Sequence, residues 1–156
     1  MDLEYAIEAH YLDVVAAFAD IARYPEFTEG RAQRGEIHRS EARTDARGNR
    51  VVEVSYSVWA AGSENTGERV YTYFADRPYA TIDLEFHTAL VREDTHILWA
   101  FEEVDGTTRI EGHGTRTAPW LLSLFSFYHS QQALLVFEKI GRELTARETA
   151  GPAPSS

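Results

Sequence analysis

Arg116 is the side chain with the most evident capacity for chemistry. It follows Ile110, Gly112 and Gly114 at even spacing, so in a strand all four share one side. A guanidinium on a buried side needs an anionic or carbonyl partner, because an isolated charge is costly to take out of water. That partner is a ligand carboxylate or enolate, or a protein carboxylate; a third reading puts the residue at a solvated rim. Tyr56 falls on the apolar side of its own strand, Tyr71 or Tyr73 on that of the next, and Tyr128 on a helical stripe. A phenol there orients a ligand carbonyl or acts as a general acid, although core tyrosines more often pack and satisfy one hydrogen bond. Trp99 and Phe101 line the wall of a cavity or complete a core. The candidate ligand-binding set is therefore Tyr56, Tyr73, Trp99, Phe101, Arg116 and Tyr128, with no catalytic residue specified.

The histidines are less promising. His96 and His113 sit diagonally on one side of a hairpin, but it is the side opposite Trp99 and Phe101 and should face solvent. No carboxylate stands at a recognisable ligand spacing, so neither a metal nor a cofactor is expected. His129 is a base with a pKa near neutrality or a solvent-facing helix flank. With no cysteine in the chain, thiolate ligands, disulfides and cysteine nucleophiles are excluded. No Ser-His-Asp order, phosphate loop or dinucleotide fingerprint is present.

The elements that must carry these residues follow from periodicity. Leu3, Tyr5 and Ile7 alternate with polar neighbours as a half-buried strand. Val14, Val15, Phe18 and Ile21 recur at helical spacing, and Pro25 breaks that pattern before a second short helix or turn to Phe27. From Arg31 to Ala118 the chain reads as strands and turns. Arg31 to Ser40 is a weak polar strand, and Thr44 to Asn49 a turn. Val52, Val54, Tyr56 and Val58 alternate cleanly, and Ala61 to Gly67 reads as a polar turn. Arg69 to Ala75 is a strand of ambiguous face. Ala80 to Phe86 and Ile97 to Phe101 are two further strands. Asp105-Gly106 is a strong two-residue hairpin signal. With those two residues at the turn, Phe101 faces Ile110, Trp99 faces Gly112, Ile97 faces Gly114 and Glu102 faces Arg109. Glycines opposite large residues mean either a helix packed close or an open cavity. Pro119 then starts a long helix to about Glu148. Its stripe includes Leu121, Leu124, Phe125, Tyr128, Leu135, Val136, Ile140 and Leu144, of which Leu121, Phe125, Tyr128 and Leu135 should face the sheet.

A length of 156 residues fits one domain, 1–148, with a Pro- and Ser-containing disordered tail over 149–156. The formal charge of -10 argues against nucleic acid and anionic membrane surfaces as partners. The apolar stretch from Trp120 to Phe137 carries Ser123, Ser126, His129, Ser130, Gln131 and Gln132, too many polar groups for a membrane span. A cytoplasmic protein is expected.

The order is strand, two short helices, a run of antiparallel strands and a long helix. Together with the segment Phe18-Ala19-Asp20-Ile21-Ala22-Arg23-Tyr24-Pro25-Glu26-Phe27, it resembles the START-like superfamily. The local segment is most similar to the polyketide cyclase/dehydrase and coenzyme Q-binding branches, although Thr28-Glu29-Gly30 replaces the Leu-Pro-Trp-Cys-like stretch usual in the latter. The resemblance implies an α+β helix-grip fold, a curved antiparallel sheet wrapped around the C-terminal helix, with a cavity between them. It implies an apolar or aromatic small-molecule ligand that is polyketide-, lipid- or quinone-like. The protein is then a cyclase or dehydratase, a non-catalytic carrier, or an interaction module with a vestigial cavity.

Overall fold

The computed structural model describes residues 2–90, 92–117 and 126–151, with side chains in the last segment from Ala133 onward. Strand β1 (Asp2–Ile7) leads into helix α1 (Tyr11–Ala19), a 3₁₀ turn (Ile21–Arg23) and the short helix α2 (Tyr24–Phe27). Strands β2 (Ala32–Thr44), β3 (Arg50–Ala60), β4 (Ser63–Tyr73), β5 (Tyr79–Thr88), β6 (Glu93–Val104) and β7 (Thr107–Thr117) precede helix α3 (Ser126–Ala150). The strands form one antiparallel sheet in the order β1-β7-β6-β5-β4-β3-β2. This is the expected helix-grip architecture.

Local chemistry explains the boundaries. His10 Nδ1 accepts from the Leu12 amide and caps α1, with Asp13 in the first turn where the helix dipole favours it. Pro25 sits at the start of α2, where its missing N–H costs nothing. Asp105 and Gly106 both have positive φ, 52° and 77°, the geometry of a type I′ hairpin, and the β6–β7 register matches the expected one at all four pairs. The reading of Ala61 to Gly67 as a turn is corrected. Only Ala61 and Gly62 turn, both with positive φ, and Ser63 already pairs with Ala60. The polar residues beyond belong to β4. Among them, buried Asn65 donates to Val58 O and accepts from the Ala89 amide, tying down the β5–β6 connection. Helix α3 extends to Ala150, two residues into the expected tail, and Gly151 follows it with φ +66°. The expected tail from 152, and Leu121, Leu124 and Phe125, lie outside the described residues.

Pleating sends Leu3, Tyr5, Ile7, Tyr56, Tyr71, Ile82, Leu84, Ile97, Trp99, Phe101 and Ile110 inward, toward α1 and α3. The core is a cluster of rings. Phe137 of α3 stacks on Phe18 of α1 at 5.0 Å and meets Trp99 edge-on at 5.0 Å, while Phe18 lies 5.9 Å from Trp99. Val136, Ile140 and Leu144 are buried alongside, and Leu135 is half-buried. At Gly112 and Gly67 the freed space is taken by a ring from the neighbouring strand. A Cβ on Gly112 would lie 2.4 Å from the Trp99 ring, and one on Gly67 would lie 2.6 Å from the Tyr56 ring. Each glycine makes room for an aromatic ring laid across the neighbouring strand.

Candidate functional site

The inner face of the sheet divides into two ends. At one, Trp99 (1% exposed) and Phe101 (0% exposed) are closed over by Phe18 and Phe137. As structured, they are core rather than open wall. At the other end lie Tyr56, Gly67, Phe86, Thr95 and Arg116, successive inward positions across β3 to β7. Tyr56 stacks on Phe86 with ring centroids 6.1 Å apart. Phe86, Thr95 and Arg116 keep partial exposure.

Arg116 points inward, as its spacing implied, and its partner is a protein acid. Its Nη2 donates to Oε2 of Glu93, a residue with no exposed surface at the start of β6. Thr95 Oγ1 donates to the other Glu93 oxygen at 3.1 Å. The pair leaves Arg116 Nε and Nη1 buried with no hydrogen-bond partner among the described residues. Glu93 shares the parity of Thr95, Ile97 and Trp99, which was a readable signal that sequence reasoning passed over.

Arg69 was missed as well. It lies on β4 opposite Val54 and is 2% exposed. Its Nη1 donates to Phe18 O at 3.1 Å and to Tyr71 Oη at 3.3 Å, and its Nη2 donates to Tyr24 Oη. The guanidinium lies 4.7 Å from the Tyr56 ring centroid, 4.9 Å from that of Phe18 and 5.2 Å from that of Tyr24. It thus caps the C-terminal end of α1 from within an aromatic box. Its Nε is buried without a partner among the described residues. Burial opposes the Arg69 charge, but the surrounding phenols outweigh it and hold its pKa above the ordinary arginine value. Burial pushes the Tyr24 phenol up to about 12 against the pull of Arg69, so it accepts from Arg69 as a neutral hydroxyl. Recognising the two-residue Ala61-Gly62 turn would have set Arg69 inward; Ala is an uncommon residue at positive φ, and the signal was lost there.

The remaining candidates separate from this group. Tyr73 is half-buried further along β4, with the Arg50 guanidinium 5.7 Å from its ring centroid, and burial raises its pKa. Tyr128 belongs to α3, but its side chain, like that of His129, lies outside the described residues. His96 and His113 are on the outer face, hydrogen-bonded to Asp83 at 2.6 Å and to Asp2 at 2.9 Å. Among the described residues no three potential ligands converge as a metal site, and no helix is long and apolar enough to cross a membrane.

A hollow of about 530 Å³ borders the polar end. Most of its lining stands at outward positions, Ser55, Thr66, Glu68, Glu85, His96 and Thr115 among them, and Tyr56, Gly67, Phe86 and Thr95 are its inward members. A second groove, of about 670 Å³, runs between the edge strand β1 and α3, past Ile7, Gly141 and Thr145.

No family model matches the sequence, and no curated protein matches it at a significant level. Solved structures do match. The aromatase/cyclase Zhui from Streptomyces sp. R1128 superposes with a TM-score of 0.59 at 14% identity, over 98% of this chain and 98% of that one. Protein Ms6760 from Mycobacterium smegmatis gives 0.58 at 17% identity, over 94% and 90%. Major latex-like protein 151 from Panax ginseng gives 0.59 at 10% identity, over 92% and 95%. These likenesses show the class of fold: a helix-grip domain, the architecture that the segment Phe18 to Phe27 and the element order implied.

Proposed function

We propose that the protein binds a small apolar or aromatic molecule between the sheet and α3, at the end of the inner face bounded by Tyr56, Phe86, Thr95 and Arg116. The observation that carries this reading is the pair of inward arginines whose donors are unmet among the described residues: Arg69 Nε, and Arg116 Nε and Nη1. Buried N–H groups are nearly always satisfied, and a few unpaired polar atoms among aromatic walls are what a ligand oxygen completes. The likeness to an aromatase/cyclase supports it, as an argument from fold alone. Trp99 and Phe101 form the closed floor behind the site, and Tyr128 is proposed as a ligand contact. The ligand is polyketide-, lipid- or quinone-like, and the setting cytoplasmic.

In a catalytic version, Arg116 polarises a polyketide-like carbonyl while apolar walls exclude water. Arg116 is hydrogen-bonded to Glu93, and Thr95 holds the same acid; binding is the reading we favour. The test is titration with the neutral fluorescent probe N-phenyl-1-naphthylamine. Binding should weaken by about tenfold, roughly the 1.4 kcal/mol of one lost apolar contact, in Phe86→Ala. It should be unchanged in His113→Ala on the outer face, away from the hollow. Absence of binding, or a loss in His113→Ala in place of Phe86→Ala, overturns the site.

A further inference from the structure

We propose that Glu93 is a specificity-determining residue: it makes this site select ligands whose anchoring oxygen is neutral, such as a ketone or quinone-type carbonyl, and reject carboxylates. The inference rests on the binding reading above and names the ligand class that reading leaves open.

The argument separates charge from hydrogen-bonding capacity. Glu93 is fully buried, accepts from Arg116 Nη2 and is held by Thr95 Oγ1. The Arg116 charge is therefore already met. What Arg116 still offers is two donors, Nε and Nη1, buried and without partners among the described residues. A neutral carbonyl oxygen accepts from them and adds no charge. A carboxylate reaching the same guanidinium would be a second anion within a few ångströms of Glu93, in a setting where water screens poorly. Two carboxylates crowded at one site do not both remain charged without a penalty.

Neither Asp94 nor Arg69 relieves that repulsion. Asp94, the next residue along β6, adds a further acid and is engaged by His87 on the outer face. Arg69 is the other inward cation. It sits on β4, three strands from β7, roughly 14 Å across the sheet at about 4.8 Å per strand. Its head group is turned to Phe18 O, Tyr71 and Tyr24. Arg116 therefore works as a hydrogen-bond donor in a neutral pair, and Glu93 sets the sign of what binds beside it.

The test uses two probes of matched shape, 2-acetylnaphthalene and 2-naphthoate, measured by equilibrium dialysis at neutral pH. Wild-type protein should hold the ketone at least about tenfold more tightly. Glu93→Gln keeps the shape and removes the charge, so naphthoate should gain about tenfold while the ketone changes by less than about threefold. Equal affinity of the two probes for wild type, or an unchanged ratio in Glu93→Gln, overturns the assignment of specificity but leaves ligand binding standing. Binding of neither probe overturns the binding reading, and this inference with it. Circular dichroism checks the fold. Should Glu93→Gln not fold, Glu93→Gln with Arg116→Gln replaces it. That chain must lose about fivefold or more of its ketone affinity with naphthoate unchanged, and full retention of the ketone overturns the proposal.

Discussion

The two ends of the inner face come from the same strands and the same alternation, yet they are completed in different ways. At the Trp99 end, Trp99 and Phe101 each meet Phe18 from α1 and Phe137 from α3. At the Arg116 end, β6 contributes an acid and a hydroxyl, Glu93 and Thr95, and β7 contributes a cation, with donors left over. Glycine plays a similar part at both, clearing space for Trp99 on one strand and for Tyr56 on another. The difference lies in what arrives from outside the sheet. Among the described residues, two helices bring apolar rings to one end, whereas at the other the sheet supplies its own charge pair. The first end is organised for stability. The second has polar atoms that are unmatched among the described residues, and it is there that we propose a ligand binds.

The sharpest way to break this contrast is Trp99→Ala. The packed end should lose about 3–5 kcal/mol of stability, as large aromatic truncations in a closed core do. Binding of the neutral probe should remain within about twofold, less than 0.5 kcal/mol. Denaturant melts and probe titration on the same protein measure both, and a large binding loss with little destabilisation would move the site to the Trp99 end. Next in size is Arg116→Ala. Removing the cation strands Glu93 in the interior, at about 3 kcal/mol, the low end for a broken buried pair because Arg116 keeps some contact with water. Glu93→Gln with Arg116→Gln should recover most of that loss. If the double variant is as unstable as Arg116→Ala, the pair is not the unit described here. The smallest effect concerns Tyr24, whose phenol is pushed up to about 12 in the folded protein from an ordinary value near 10. Between those values the unfolded chain has released the proton and the folded one has not. Stability therefore falls as pH rises across that window and is undiminished below pH 10. Tyr24→Phe should flatten this alkaline slope, compared by melts on either side of the window.

Much of the fold was legible in the sequence because local rules speak directly there. Asp105-Gly106 specified a two-residue turn, and from it the whole β6–β7 register followed, including the inward direction of Arg116. Pro25 and the stripe containing Phe18 located the short helices, and the alternation of Val52 to Val58 gave β3 its inner face. The Ala61-Gly62 turn was not legible, because a positive φ at Ala61 is stabilised by the pairing of Ala60 with Ser63 and not by any preference of alanine. The inward direction of Arg69 was lost with it. Phe137 was passed over in the helical stripe although it proves to be the centre of the ring cluster.

The sequence by itself therefore determined the elements, their order and the face on which most residues lie, since period, turn chemistry and proline placement act over a few residues. Only the tertiary structure decided which charges meet. Glu93 and Arg116 are brought together by the pairing of β6 with β7, and Arg69 meets Phe18 and Tyr24 because α1 and α2 pack on the inner face. Each of those contacts joins residues more than 20 positions apart. A buried cation shows its partner only when the chain closes on it, because burial makes the partner necessary without saying which distant segment will supply it.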